Sequence, residues 1–161
     1  RYTGILMQDA AFMVTVSNFC PDTPHLQKNP AFLYLSDGFQ KPNTVEPDLA
    51  VSIDPVIKQK VAALWTLGSQ IESFWATGNF EGVVPVPKEG DARVARKREF
   101  SQRFQARSMA VANDYRDQLV RLYGEEKGKR VNHAEAFELC EYGRRPSAED
   151  LKKLFPFFSD K

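Results

Sequence analysis

The chain has few of the residues on which secreted and metal-binding proteins depend. Its 161 residues include two cysteines, Cys20 and Cys140, and two histidines, His25 and His133. Two widely separated cysteines make no disulfide framework, and no Asn-x-Ser/Thr sequon occurs, so we expect a protein of the reducing cytoplasm. No apolar run approaches the roughly 20 residues that span a bilayer, which argues against a membrane partner.

The chain also lacks an excess of charge of either sign. It has 22 basic and 21 acidic residues, so no strong field recruits nucleic acid or an anionic membrane. One basic cluster occurs, and its members are Arg93, Arg96, Lys97, Arg98, Arg103 and Arg107. A phosphate-binding or nucleic-acid-binding helix is one interpretation, but the pattern favours the solvated face of a helix, and we expect no nucleic-acid partner.

The common catalytic motifs are missing. The sequence has no His-Glu-x-x-His, no Cys-x-x-Cys, no Gly-x-Ser-x-Gly elbow and no glycine-rich phosphate loop. A zinc hydrolase needs about three ligands from His, Cys, Asp or Glu around an open position. We therefore expect that this chain alone binds no metal and is no self-sufficient catalyst of these types.

Apolar periodicity and turn residues predict an alternation of helices and strands. The predicted elements are helices over 3–16, 54–75 and 92–123, strands over 31–35 and 49–53, and a short last helix that follows Ser147. Gly124 is the predicted end of the third helix, and one apolar face of the second comprises Ile57, Val61, Leu64, Ile71 and Trp75. Asp54 and Pro55 read as the cap and first turn of the second helix, and Ser147 with Asp150 reads as a capping box. A glycine-rich and proline-rich loop extends over 77–91.

Two strands among about four helices indicate an α/β fold and the edge of a larger sheet. We expect residues 1–161 to form a single portion of one domain. The first helix and the apolar tail Leu154–Phe158 are hard to bury in a chain with so few strands. These segments predict a partner surface, in a longer protein from which this chain is a piece or in a second copy of the chain.

His133 is the candidate catalytic residue. Its imidazole can donate a hydrogen bond to an oxyanion or orient a substrate hydroxyl, and the alternative is a structural histidine that bonds a backbone carbonyl. Glu135 is a candidate substrate contact or the outward residue of a strand. Asp37, Gln40 and Lys41 follow the first strand, where loops of α/β sheets line ligand crevices, although Asp-Gly is also common turn chemistry.

Several short segments, in this order, resemble the PIG-L/LmbE-like family of zinc-dependent N-deacetylases. The segments are Arg1-Tyr2-Thr3, Pro30-Ala31-Phe32-Leu33-Tyr34, Asp54 with Lys60-x-x-Ala63-Leu64, Ser69-Gln70, Ala134-Glu135-Ala136-Phe137 and Glu141-Tyr142-Gly143. Two positions depart from the family pattern. Leu67 stands where many members have histidine, and His133 stands where a tyrosine often precedes Ala-Glu.

The resemblance implies the C-terminal part of a Rossmann-like three-layer fold. It also implies hydrolysis of an N-acetyl group on a glucosamine-type substrate, by a zinc ion that polarises the amide and activates water. In the family the zinc ligands lie in a His-Pro-Asp-Asp motif and a His-x-x-His-type motif, both of which precede the segment that resembles this chain. The resemblance thus predicts an N-terminal catalytic half as a partner, with zinc bound in the complete protein, and a pocket wall supplied by this chain. The rival hypothesis is a non-catalytic α/β scaffold or protein-interaction module.

Overall fold

A computed structural model describes residues 2–38, 43–72 and 84–158. Within these residues the chain is mixed α/β, with seven α-helices, three strands and one 3-10 turn. The helices are α1 (Tyr2–Met13), α2 (Ile57–Leu64), α3 (Gly68–Glu72), α4 (Gly90–Asp114), α5 (Arg116–Tyr123), α6 (Glu125–Arg130) and α7 (Ala148–Leu154). The strands are β1 (Leu33–Leu35), β2 (Leu49–Ser52) and β3 (Ala134–Leu139), and the 3-10 turn is Pro156–Phe158.

The chain divides into two compact units. The first unit comprises Arg1–Ala50, Asp117–Gly128 and Ala136–Lys161, and the second comprises Val51–Arg116 and Lys129–Glu135. Each unit is described separately below. The predicted single portion over 1–161 stays a prediction.

The strands form one small antiparallel sheet in the order β1-β3-β2. In the first unit β1 pairs with β3 so that Leu33 lies opposite Leu139 and Leu35 opposite Phe137. In the second unit the Ile53 amide donates to the His133 carbonyl at 2.9 Å, which extends the pairing of β2 and β3 to the residues that flank both strands. This backbone pairing brings the turn after β2 beside the start of β3.

The central strand β3 corrects the expectation of two strands. Its sequence is Ala-Glu-Ala-Phe-Glu-Leu, and alanine and glutamate favour strands weakly, so propensity gave no signal. The burial pattern does have the period of two that a strand requires, because Ala134 and Ala136 are buried while Glu135 and Phe137 are partly exposed. Small residues on the buried face make this strand suitable for the middle of the sheet.

The predicted helix over 54–75 is interrupted. The structure has α2 and α3 with a turn over 65–67, and Trp75 lies outside the described residues. Asp54 does not cap α2, whose N-cap residue is Val56 without a side-chain hydrogen bond, because the Asp54 carboxylate accepts backbone hydrogen bonds near β3 instead. The predicted apolar stripe is nevertheless buried, and Ile57, Val61 and Ile71 form the core of the second unit with Ile53 and Phe100.

The predicted helix over 92–123 is likewise two helices, because Tyr115 leaves helical geometry at φ −112° and ψ 33°. Gly124 ends α5 at φ +84°, a conformation that disfavours other residues, as its predicted role as helix terminator requires. The unpredicted α6 then packs closely on α5. A Cβ at Gly128 would lie 2.5 Å from the Val120 Cα, so the contact excludes a side chain.

Helix α1 leaves most of its apolar residues exposed. Ala11 is its only buried residue, whereas Tyr2 is 79% exposed, Leu6 67% and Phe12 59%. A helix with apolar residues on all sides usually has cover on all sides. Among the described helices, none combines the length and the apolar content that crossing a membrane requires.

The C-terminal segment is anchored at its end. The Ser147 hydroxyl accepts from the Asp150 amide at 3.1 Å and the Asp150 carboxylate accepts from the Ser147 amide at 3.2 Å, which confirms the predicted capping box. Phe158 is buried in the first unit, with its ring 5.0 Å from that of Tyr123 in an edge-on arrangement. Residues 84–89 of the predicted loop over 77–91 have no helix or strand, and 77–83 lie outside the described residues.

Candidate functional site

Asp54 and His133 form a close polar pair in the second unit. Asp54 occupies the turn after β2, and His133 directly precedes β3. The imidazole Nδ1 lies 2.7 Å from the Asp54 Oδ1, and the two side chains are 15% and 31% exposed for His133 and Asp54 respectively. The site is thus half-buried and open to solvent, which is the setting in which a polar pair can meet a ligand.

The Asp54 carboxylate is held by backbone as well as by the ring. Its Oδ2 accepts from the Asn132 amide at 2.9 Å, and its Oδ1 accepts from the His133 amide at 2.8 Å. Two main-chain N–H donors next to β3 and the ring nitrogen of His133 therefore converge on one carboxylate. This arrangement fixes Asp54 independently of its own helix and fixes the imidazole relative to the strand.

A second polar pair joins α2 to β3 in the same unit. Lys60 and Glu135 form an ion pair, with side chains 29% and 34% exposed. Burial lowers the pKa of the Lys60 ammonium below its ordinary value of 10.5, while a neighbouring carboxylate favours the charged form. The ammonium also lies 5.8 Å from the centre of the Phe104 ring, within the range of a cation–π contact.

The two pairs lie close together along the chain. His133 occupies the bend that directly precedes β3, and Glu135 is the second residue of the strand. Ala134, which lies between them, is 1% exposed. An imidazole, two carboxylates and an ammonium thus lie near the start of the central strand, and such groups can bind hydroxyl and amide groups.

Two of the predicted site residues, His133 and Glu135, lie in this arrangement. Asp37 is exposed after β1 in the other unit, and Gln40 and Lys41 lie outside the described residues. Sequence reasoning missed Asp54 as a partner of His133, since it interpreted that residue as a helix cap. It also gave Lys60 no role in the site. Each pair joins distant segments of the chain, and spacing alone carries no signal for such contacts.

The first unit has its own polar cluster around Tyr34. The Tyr34 hydroxyl donates to the Glu141 carboxylate at 3.1 Å, and it accepts from the Gln8 amide at 3.0 Å and from the Cys140 thiol at 3.1 Å. Burial raises the pKa of the Tyr34 phenol above its usual value, and the hydrogen bond with Cys140 acts in the same direction. The phenol therefore stays neutral, and it acts as a structural link between α1, β1 and the end of β3.

The first unit also contains an apolar cavity of about 970 Å³. Its walls come from α1, the segment that follows α1, and Tyr142, and they include Leu6, Phe12 and Leu26. His133 and Glu135 are not among the lining residues. The cavity therefore belongs to the exposed apolar surface of α1 and not to the polar pairs.

The basic cluster of α4 makes internal contacts that reduce its availability to phosphate. The Arg93 guanidinium lies 5.5 Å from the centre of the Trp65 ring and donates to the Pro87 carbonyl at 3.1 Å. Glu99 lies 2.8 Å from the Arg103 guanidinium. These contacts engage Arg93 and Arg103 within the second unit, and the expectation of no nucleic-acid partner stays a prediction.

Comparison of the chain with protein-family models, with curated proteins and with solved structures finds no match.

Proposed function

We propose that this chain is the C-terminal portion of a cytoplasmic, zinc-dependent N-deacetylase of the PIG-L/LmbE-like type. The substrate carries an N-acetyl group on a glucosamine-type sugar. The chain supplies one wall of the pocket and an assembly surface, and the small sheet is part of a Rossmann-like three-layer fold. The N-terminal catalytic half supplies the zinc ligands.

The observation that carries this proposal is the pairing of the segments on which the resemblance rests. In the second unit Lys60 pairs with Glu135, so two of the matching segments contact each other. In the first unit Tyr34 bonds Glu141, and a Cβ at Gly143 would meet the Phe32 ring at 2.8 Å. Short matches that arise by chance have no reason to contact one another. These contacts therefore support the view that the matching segments belong to one structural arrangement.

His133 and Glu135 serve as the substrate contacts in this proposal. The imidazole is fixed by Asp54 and half-buried, so it can bind a polar group with little loss of side-chain entropy. Glu135 forms an ion pair with Lys60, which positions its carboxylate as a hydrogen-bond acceptor. Asp37, Gln40 and Lys41 stay sugar contacts predicted from the sequence.

The described residues do not fit a zinc site of their own. Among residues 2–38, 43–72 and 84–158 no three His, Cys, Asp or Glu side chains lie together in a way that could hold an ion. The proposal accordingly assigns zinc to the other half of the protein, and no role of His133 depends on contact with the metal.

The exposed apolar residues of α1 support the proposed assembly surface. Leu6 and Phe12 are each more than half exposed, and contiguous apolar surface of this kind usually marks an interaction site. The same observation favours the second candidate function, a non-catalytic interaction module. The two proposals differ in whether any amide is hydrolysed.

Acetate release separates the two proposals. The longest natural polypeptide that contains this sequence is purified with zinc and incubated with a panel of N-acetylglucosamine conjugates. We expect release of one acetate per free amine formed, loss of activity after chelation and recovery when zinc is returned. An intact, zinc-loaded protein that releases acetate from no member of the panel would leave the interaction module as the better proposal.

A further inference from the structure

The contacts of Asp54 determine which nitrogen of His133 carries the proton. An ionised carboxylate has no hydrogen to donate, so each group within bonding distance of it must be a donor. The Asn132 amide at 2.9 Å and the His133 amide at 2.8 Å meet this condition as main-chain N–H groups. The imidazole Nδ1 at 2.7 Å must therefore also carry hydrogen.

The other ring nitrogen then has a lone pair. A neutral imidazole has a single N–H, so a ring protonated at Nδ1 presents Nε2 as a hydrogen-bond acceptor. No residue of the described part of the chain makes a hydrogen bond to the Nε2 of His133. Neutral His133 thus offers an acceptor to a ligand, and the donor role expected from the sequence belongs to the doubly protonated ring.

We infer that Asp54 is a positioning residue that holds His133 with Nε2 as an acceptor, and that this nitrogen binds a hydroxyl group of the substrate. The substrate part of the inference rests on the proposed function, because a glucosamine-type sugar carries several hydroxyl donors. Asp54 acts only through the imidazole and makes no contact with the sugar. The ligand class that this arrangement selects is a polyol with at least one hydroxyl that donates to the Nε2 of His133.

Nitrogen-15 NMR of the purified chain tests the protonation state directly. The chain has only two histidines, so the spectrum contains two imidazoles, and His25 serves as the internal comparison. The spectrum is read at an alkaline pH at which each ring shows a single N–H. We expect the His133 ring to have a protonated Nδ1 and a bare Nε2. A His133 ring protonated at Nε2 would overturn the inference, and this measurement on the wild-type chain needs no variant to fold.

Two variants show whether Asp54 is the cause. In Asp54→Ala the carboxylate is gone, and we expect the His133 ring to lose its preference and become a mixture of both neutral forms. The matched control is Asp48→Ala, because Asp48 also accepts a main-chain amide of β3, from Leu139 at 2.7 Å, but has no imidazole partner. We expect this control to leave the His133 signals unchanged. A ring that keeps Nδ1 protonated in Asp54→Ala would remove the role of Asp54.

Kinetics of acetate release complete the test. One lost hydrogen bond to a substrate hydroxyl should raise KM about tenfold and leave kcat nearly unchanged. His133→Ala and the double variant that adds Asp54→Ala should raise KM by the same factor. With a deoxy sugar that lacks the bound hydroxyl, neither variant should differ from the wild type in KM. If NMR gives a bare Nε2 but no acetate is released, the proposed function fails and the positioning role stands. If acetate is released but Nε2 is protonated, the inference alone fails.

Discussion

Helix α1 lies in the first unit and helix α2 in the second, and the two bury their apolar residues to very different extents. Ala11 is the only buried residue of α1, whereas α2 buries Ile57 and Val61 against Phe100 of α4. Both polar pairs of the candidate site project from the segments around this packed core. The contrast teaches that the site stands on the well-packed part of the chain, where a fixed geometry can be maintained, while α1 presents surface for contact.

Phe100 and Phe12 offer the sharpest test of that contrast. Phe100 is 4% exposed and Phe12 is 59% exposed. Phe100→Ala should lower the free energy of unfolding by about 3–5 kcal/mol, because it removes buried apolar area and leaves a cavity. Phe12→Ala should change it by less than about 0.5 kcal/mol. Denaturant unfolding of the two variants checks this, and equal losses would mean that α1 is packed as tightly as α4.

Gly128 tests whether tight packing also occurs in the first unit, away from α1. A Cβ there would lie 2.6 Å from the Leu119 carbonyl oxygen. Gly128→Ala should therefore destabilise the protein by about 1–3 kcal/mol through overpacking. Gly68→Ala is the control, because its Cβ would meet nothing within 4 Å, and we expect it to be neutral or slightly stabilising. A neutral Gly128→Ala variant would show that α5 and α6 are not in close contact.

Ser147 tests local stability at the other end of the first unit. Ser147→Ala removes the hydroxyl that caps α7 and should cost about 1 kcal/mol in thermal or denaturant unfolding. Hydrogen bonds from the Ser147 backbone and side chain lower the pKa of Asp150 below its ordinary 3.8. A carboxyl with a lowered pKa stabilises the fold above its ordinary pKa, and this contribution disappears as the pH falls through the folded value.

Asp150→Asn therefore gives the matching pH test. The variant should be less stable than the wild type at neutral pH. The difference should begin to shrink as the pH falls below about 3.8 and should disappear once the pH is below the lowered pKa of Asp150 in the folded protein. A difference that stays constant through this whole range would mean that the charged form of Asp150 makes no contribution through the cap.

Lys60 and Glu135 are expected to give the smallest stability effect, since both side chains keep access to solvent. Glu135→Ala should cost about 0.5–1 kcal/mol, and the double variant with Lys60→Ala should cost less than the sum of the single ones. The cost of Glu135→Ala should shrink as the pH rises through the pKa of Lys60, which burial holds below its ordinary value of 10.5. Additive losses in the double-mutant cycle would show that the pair is not coupled.

The sequence predicted those parts of the fold that depend on local patterns. The helical stripe of Ile57, Val61 and Ile71 is buried as the periodicity indicated, and the Ser147–Asp150 capping box needs only four residues to be recognised. The helix ends at Gly124, whose positive φ leaves helical geometry and is adopted most easily by a residue without a side chain. Each of these features is decided within one or two turns of the chain.

Features that depend on distant contacts were missed or misread. Four of the six residues of strand β3 are alanine or glutamate, which favour strands weakly, and its place comes from pairing with β1 and β2. Asp54 followed by Pro55 has the pattern of a helix cap. Its carboxylate nevertheless accepts from the amides of Asn132 and His133 and not from the first turn of α2. His133 and Glu135 could be proposed from residue type and position, but their partners are visible only in the folded chain.

The specificity constant for acetate release in His133→Ala and His25→Ala tests the central claim most directly, because these are the two histidines of the chain. His25 is exposed and lies beside Gln27 in the first unit, so it serves as a matched control. We predict that kcat/KM falls about tenfold or more in His133→Ala and stays at the wild-type value in His25→Ala. Equal kcat/KM values in both variants and the wild type would contradict the account.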